Sequence, residues 1–348
     1  MLGNQPSLTL YCLPFLQRIW PGFIPGQYRA AIVTKAWQTP DMLKLTLRVS
    51  KRWRGFVPGQ HVLLTLQHNG RALTRPFSIC SASSLWQARQ QIELCCKISA
   101  SGGFTPHLAQ LPSGSLLSIS QAQGDFCWQQ PATEALFVAA GSGITPLTSM
   151  LLSQRHWLAG VTLCYRFRGE ENAALLKDLR QLAQQQPLFK LLLSDSRLQT
   201  AEHFYQQICT LAAAKPLYLC GPQPFMTGLK QALQLNGVAV SGVFQEQFGP
   251  APLTQPSATA DNQYQITVQS PVGNLAFSAA ANVSLLQSAE QQGLSPRFGC
   301  RIGVCFQCVC DKISGQVRDL RTGALSGHGS EQIQLCVSQP VSELVLKQ

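Results

Sequence analysis

The sequence lacks several features that would set its class at once. No apolar stretch runs uninterrupted for the roughly 20 residues that a membrane helix needs. The longest candidate, LTLYCLPFLQRIWPGF at residues 8–23, is broken by Pro14 and Arg18. No basic region precedes it, so it has neither the length of a span nor the layout of a signal peptide. We expect an arm packed on the first domain, with contact to a membrane surface as the competing reading. The 6 histidines, His61, His68, His107, His156, His203 and His328, show no ligand spacing. That excludes a histidine-based metal site and leaves them as expected turn or surface residues. No internal repeat or low-complexity tract is present, which argues against a repeat array or a disordered chain.

Acidic residues are scarce as well. Only 16 Asp and Glu face 27 Lys and Arg, for a net charge of +11. The imbalance sits in residues 1–131, which hold 12 basic and 3 acidic side chains. It is densest in RVSKRWRGF, Arg48 to Phe56. Cations interleaved with Trp53 and Phe56 suit an acidic partner or an anionic lipid surface, and equally a solvated loop. No recognition motif accompanies the charge, so nucleic acid is not an expected partner. The 13 cysteines are odd in number and scattered along 348 residues, unlike the paired framework of a small secreted domain. Reduced thiols and a cytoplasmic location are expected.

A chain of this length suggests two or three domains. Residues 28–131 alternate in short apolar runs (RAAIVTKA, MLKLTLRV, HVLLTLQ, PFSICS, QIELCCKIS, SLLSISQAQG) separated by turns such as FVPGQ and QHNGR. This predicts a small antiparallel β-barrel or sandwich. In residues 132–248 strand-like runs (ALFVAAG, VTLCYRF, FKLLLSD, PLYLCGP) alternate with helix-like stretches (LTSMLLSQRHWL, ENAALLKDLRQLAQQ). That alternation predicts an α/β domain with a parallel sheet. Residues 249–263 read as a linker, preceding a third domain over 264–348. The remaining boundary makes residues 1–27 the arm.

The densest chemistry lies in FGCRIGVCFQCVC, residues 298–310. Cys300, Cys305 and Cys308 follow the C-x4-C-x2-C spacing of a plant-type 2Fe–2S cluster, which needs a fourth cysteine well downstream. Cys336 in IQLCVSQP supplies it. Structural zinc sites prefer two C-x2-C pairs or added histidines, and no second pair exists. Gly299 and Gly303 permit a tight loop whose backbone N–H groups face the cluster sulfurs. Cys310, one strand step past Cys308, reads as a small core residue. The block resembles the ferredoxins of β-grasp fold over residues 264–348, with Phe306-Gln307 departing from the small residue common after the second cysteine.

A 2Fe–2S cluster takes one electron at a time and a nicotinamide gives a hydride, so a flavin normally stands between them. RPFSICSAS, Arg75 to Ser83, resembles the signature of ferredoxin–NADP reductase-like flavoproteins. The resemblance implies Arg75 at a flavin phosphate, Phe77 along the isoalloxazine and Ser78 near its reactive nitrogen, with Pro76 among the cofactor-binding residues. CKISASGGFTPHLAQL at 96–111 places Lys97, Gly102, Gly103 and Thr105 about a helix start. Thr105 is expected as N-cap with Pro106 opening the helix, a ready phosphate cradle. A second phosphate implies FAD, with FMN as the alternative.

LFVAAGSGITPLTSML repeats the construction: Gly141 and Gly143 follow a strand, Thr145 caps and Pro146 opens a helix. With YLCGPQPFM it resembles the pyridine-nucleotide domain of the same family. The resemblance implies Cys220, Gly221 and Pro222 beside the nicotinamide, although Cys220 also reads as a plain core thiol. FQEQF resembles the E-x-F ending, with Glu246 and Phe248 by the flavin and Glu246 handling a proton. The catalytic set is thus Ser78, Cys220 and Glu246. Arg166, Arg168 and Arg197 suit the 2′-phosphate of NADPH, while Glu170 and Glu171 leave NADH open.

The resemblance spans residues 28–348. It implies an oxidoreductase passing electrons from NADPH through FAD and the 2Fe–2S cluster to an acceptor protein. WRGFVPGQHVLLTL and GRALTRPFSICSAS look like the reductases of membrane-bound fatty-acyl desaturases, which implies peripheral contact with the inner face of the membrane. The reductase of a ring-hydroxylating dioxygenase or soluble monooxygenase is the competing reading, and a non-enzymatic ferredoxin carrier or redox sensor is the third. A monomer is expected.

Overall fold

The computed structural model describes residues 27–68, 71–99, 103–247, 262–270, 273–281, 283–294, 296, 298–299, 301, 303 and 307–347. The expected arm up to residue 26 and the linker up to residue 261 lie outside them. The chain divides into two compact units, Met1–Phe248 and Gly249–Gln348.

The first unit opens with β1 (Tyr28–Trp37), β2 (Met42–Val49), β3 (His61–His68), β4 (Arg71–Ser78), β5 (Gln91–Lys97) and β6 (Leu116–Ile119). Their order is β4-β3-β6-β1-β2-β5, all antiparallel. Strand period 2 drives the arrangement: Leu43, Leu45, Leu47 and Val49 are buried, while Lys44, Thr46 and Arg48 alternate with them. Just beyond β4, Ile79 bridges Leu94 of β5, and the Cys80 N–H donates to the Glu93 carbonyl at 2.9 Å. The outer strands thereby meet, closing the sheet into a barrel around Leu45, Val62, Leu64, Ile79, Ile92 and Leu94. Two short helices, α1 (Ser83–Arg89) and α2 (Phe104–Gln110), flank β5.

Trp53 corrects one expectation. Its side chain is only 1% exposed, its indole N–H donates to the Ser120 carbonyl at 2.8 Å, and its ring meets Trp86 edge-on at 4.7 Å. A buried indole needs a hydrogen-bond acceptor, and the barrel supplies one. Phe56 packs partly against the same core. Lys51, Arg52 and Arg54 are exposed around it. The loop presents cations but not its tryptophan, and the grounds for a lipid-facing aromatic there fall away.

The barrel is followed by β7 (Ala135–Ala140), α3 (Ile144–Ser153), β8 (Val161–Phe167), α4 (Leu176–Gln185), β9 (Phe189–Asp195), α5 (Ala201–Ala212), β10 (Pro216–Gly221), α6 (Gln223–Leu235) and β11 (Gly242–Gln247). The strands form a parallel sheet in the order β11-β10-β7-β8-β9. β7 and β10 are buried at every position, as central strands covered on both faces must be. Helix α3 stops at Ser153, short of the predicted QRHWL extension. Helix α4 starts at Leu176, after Leu175 turns to φ 61°.

Three contacts fasten this layer to the barrel. Ser149 Oγ donates to the Ser81 carbonyl at 2.8 Å, and the Ser83 N–H donates to Ser153 Oγ at 2.9 Å. Lys44 Nζ lies 3.6 Å from Glu93 and 3.5 Å from Asp178. These anchors hold residues from the two layers in a fixed relation.

The second unit contains β12 (Gln263–Gln269), β13 (Leu275–Ala280), α7 (Leu285–Gln291), β14 (Val309–Ser314), β15 (Val317–Asp319), β16 (Glu331–Gln334), β17 (Ser338–Pro340) and β18 (Leu344–Lys347). The main sheet runs β13-β12-β18-β14-β16, with β12 and β18 parallel and the other pairs antiparallel. Ser284 caps α7 by accepting from the Gln287 N–H. Leu285 and Ala289 then pack on Ile266, Phe277, Leu344 and Leu346, giving the β-grasp of one helix on a mixed sheet. Cys310 packs against this core, as a non-ligand would. Among the described residues no helix is long and apolar enough to cross a membrane.

Candidate functional site

Hairpin pairing of β3 with β4 sets His61 opposite Ser78. Parallel pairing of β10 with β11 sets Cys220 beside Glu246. These two register relations meet at one carboxylate. Glu246 Oε2 accepts from Ser78 Oγ at 3.0 Å, and Oε1 lies 3.2 Å from His61 Nδ1. The loop Gly141–Gly143 comes up against the same place. A Cβ on Gly143 would lie 2.2 Å from the Cys220 carbonyl oxygen, so no side chain fits there. The RPFS, GSG and CGP segments and Glu246 therefore converge at the carboxyl ends of parallel strands, where open α/β sheets place their ligands.

Burial, reinforced by the Glu246 carboxylate, pushes the Cys220 thiol well above its ordinary value. The side chain is thus a neutral thiol at neutral pH, a poor nucleophile and a compact wall for a ring. On the barrel side, the Phe77 and Phe104 rings stand 5.6 Å apart, which joins β4 to the start of α2. Arg75 donates from Nη1 to the Thr74 carbonyl at 2.8 Å, and Pro76 pairs with Leu63. Lys97 is exposed and lies 3.3 Å from Asp41.

Both threonine caps need correction. Helix α2 has Gly103 as its N-cap, at φ 92°, and Thr105 Oγ1 instead accepts from the Ser99 N–H at 3.0 Å. Helix α3 has Gly143 as its N-cap, and Thr145 Oγ1 donates to the Ser142 carbonyl at 3.0 Å. Each helix starts two residues early, with a glycine in the N-cap position. The threonine then ties the preceding loop to the first turn, with Pro106 and Pro146 still inside the turn whose N–H groups need no helical acceptor. Gly221 ends β10, and Pro222 is the N-cap of α6.

The three arginines separate. Arg166 is buried, donating to Ser194 Oγ at 2.9 Å and the Gln199 carbonyl at 2.8 Å, with its guanidinium 5.3 Å from the Phe204 ring centre. It is committed to the fold, against the expectation of a phosphate ligand. Arg197 is held by Asp195 and Glu171 at 2.8 and 2.9 Å. Glu170 pairs with Arg180 at 2.7 Å. Arg168 is exposed and makes no ion pair among the described residues.

His61 was missed as a site residue by its spacing alone. Its side chain is largely buried rather than a surface group, and its Nε2 is buried without a hydrogen-bond partner among the described residues. The detectable signal was the Asn69-Gly70 dipeptide between two apolar runs, a sequence pattern that predicts a two-residue hairpin turn and hence position 61 opposite 78.

In the second unit Cys308 and Cys336 are buried with their sulfurs 3.2 Å apart. Cys300, Cys305, Gly102 and Phe248 lie outside the described residues. Arg321 Nη1 and Gln334 Nε2 both donate to the Gly303 carbonyl at 2.9 Å, fixing the loop between the expected ligands. Two converging buried thiols under a clamped loop fit a thiolate-held cluster. The buried Nε2, without a hydrogen-bond partner among the described residues, fits a polar heterocycle at the Glu246 site.

Residues 30–128 match the oxidoreductase FAD-binding domain family, and residues 270–341 match the 2Fe-2S iron-sulfur cluster binding domain family. An NADPH oxidoreductase of Mycobacterium tuberculosis is 29% identical over 82% of this chain and 75% of its own. The vanillate O-demethylase oxidoreductase of Pseudomonas putida is 27% identical over 71% of this chain and 76% of its own. Phthalate dioxygenase reductase shares the fold, with a TM-score of 0.61 and 22% identity across 93% of this chain and 98% of the other. The chain is accordingly an oxidoreductase of the FAD-binding reductase type with a C-terminal 2Fe–2S ferredoxin domain, working with FAD, a 2Fe–2S cluster and NAD(P)H.

Proposed function

We propose that this chain is the reductase component of an oxygenase system, moving electrons from NADPH to a separate oxygenase protein. The observation that carries the reading is the meeting of Ser78, Cys220 and Glu246 at one carboxylate, on a chain that also holds a buried cysteine pair for a one-electron carrier. A flavin at this site converts a two-electron hydride into single electrons.

The chain's residues divide the remaining work. Arg75, Lys97, Gly103 and Thr105, with Gly102, hold the flavin phosphates, while Pro76, Phe77 and Phe248 line its ring. Gly141, Gly143, Thr145, Pro146, Gly221 and Pro222 bind the nicotinamide nucleotide, and the neutral Cys220 thiol packs against its ring. Ser78 Oγ holds a proton that Glu246 can take up. Arg168 contacts the 2′-phosphate, with Arg197 as a second cation behind its acidic partners. Cys300, Cys305, Cys308 and Cys336 hold the cluster.

For the acceptor, an oxygenase of the demethylating or ring-hydroxylating kind is supported by the names of the relatives. The fatty-acyl desaturase reading keeps only the exposed cations of the basic loop. The test is NADPH oxidation by the FAD-loaded and cluster-loaded chain, mixed with either washed membranes plus a long-chain acyl-CoA or the soluble cell fraction plus aromatic acids. Substrate-dependent oxidation in the soluble fraction is expected. Acyl-dependent oxidation that sediments with membranes would establish the desaturase partner instead.

A further inference from the structure

Each NAD(P)H gives up a hydride, which is two electrons and one proton. The cluster accepts the electrons one at a time and no hydrogen, so one proton per nicotinamide must leave near Ser78. A proton passed to Ser78 Oγ breaks its bond to the donor and forms a new O–H bond there, while the hydroxyl's own O–H bond breaks as its proton forms an O–H bond on Glu246 Oε2, so the serine ends unchanged and the carboxylate holds the proton. The carboxylate performs this only if it is held in the right orientation and its second oxygen is otherwise occupied.

His61 meets both requirements. Its Nδ1 lies 3.2 Å from Glu246 Oε1, while Ser78 has Oε2 at 3.0 Å. The backbone fixes the imidazole through paired bonds with Gln123, His61 N–H to Gln123 O at 3.0 Å and the return at 2.9 Å. Space for the ring comes from Gly124, at φ 105°, where a Cβ would lie 2.9 Å from Nδ1. A carboxylate oxygen only accepts, so the contact with Oε1 places a proton on Nδ1. The other titratable groups near the carboxylate are Cys220, Cys127 and, beyond Cys127, Asp125. Burial raises both thiols, so neither competes for the proton at neutral pH.

We propose that His61 is the positioning residue of the Glu246 carboxylate: by donating from Nδ1 to Oε1 it commits Oε2 to Ser78 and sets the direction of proton transfer. The proposal rests on the flavin lying beside Ser78, as proposed above.

The test uses the full chain loaded with FAD and cluster, as wild type, His61→Leu and His61→Asn. Flavin bleaching by NADPH is followed by rapid mixing. His61→Leu should lower the bleaching rate about tenfold, the scale of a misplaced catalytic group, with the KM for NADPH unchanged. His61→Asn puts an amide N–H near the Nδ1 position and should recover most of the rate. The FAD midpoint potential is a readout independent of turnover. It should shift in His61→Leu and stay near the wild-type value in His61→Asn.

A Leu variant with wild-type rate, or an Asn variant no better than Leu, overturns the proposal. So does a midpoint potential that is the same in all three proteins. A wild-type chain that loads FAD but is not bleached by NADPH strikes at the reading of the whole site, and the proposal falls with it.

Discussion

The sulfur atoms of Cys308 and Cys336 lie 3.2 Å apart, although the two residues are 28 positions apart in the sequence. The strands β14 and β16 bring them together through the Leu335 N–H, which donates to the Cys308 carbonyl at 3.0 Å. Cys310 faces the sheet core instead, with burial pushing its thiol up to about 12. Cys336→Ser should therefore abolish the visible absorbance of the cluster and cytochrome c reduction, while FAD reduction by NADPH persists. Cys310→Ala should keep the cluster. Loss of the cluster in Cys310→Ala with retention in Cys336→Ser would reassign the fourth ligand.

Lys312 gives a second prediction in the same unit. It is fully buried, and its Nζ donates to the carbonyls of Gly315, Gly327 and Gly329 at 2.9, 2.9 and 2.6 Å. Glu331 lies 3.1 Å away and is half-exposed. Removing the ammonium leaves several carbonyls unpaired, whereas Glu331 can turn to water. Lys312→Met should cost about 3 kcal/mol. Cluster loss on heating would then occur at lower temperature while FAD release is unchanged, a difference visible by absorbance and flavin fluorescence in one melt.

What was legible in the sequence follows from which forces act locally. Alternation in MLKLTLRV and the wholly apolar ALFVAA announce a half-buried and a fully buried strand, because a strand's neighbours impose period 2 or none. The cysteine spacing is legible for the same reason, since a cluster constrains a short loop. Trp53 and Arg166 were misread because their partners, Ser120, Ser194 and Gln199, are brought to them only by folding. The threonine caps were off by two residues because glycine and threonine both begin helices, and the loop decides between them. His61 needed a strand register, which one Asn-Gly dipeptide encodes but composition does not.

Arg166 and Arg168 sit two residues apart, and their substitutions should behave in opposite ways. Arg168→Ala should raise the KM for NADPH about tenfold, the worth of one charge-assisted contact, and leave NADH unaffected. Arg166→Met removes buried hydrogen bonds and should cost about 2 kcal/mol of stability with no change in the NADPH/NADH ratio. Steady-state kinetics with both nucleotides and a urea melt separate the cases. Equal losses for both nucleotides in Arg168→Ala would place the 2′-phosphate elsewhere.

The buried thiols make stability depend on alkaline pH. Burial pushes Cys95 up to about 12 from an ordinary 9.0, and burial raises Cys80 and Cys96 in the same direction. Below 9.0 the thiol is protonated in both the folded and unfolded chain, and its stabilising effect is fully present. Above it the unfolded chain loses the proton first, so stability falls as pH climbs towards about 12. Each such thiol steepens the decline by about 1.4 kcal/mol per pH unit. Cys95→Ala should remove one of these increments, and the small cavity it leaves should shift stability equally at every pH without altering the slope. Urea unfolding at a series of pH values between 9.0 and about 11 measures that slope directly. An unchanged slope in Cys95→Ala would mean that this thiol ionises in the folded chain as readily as in water.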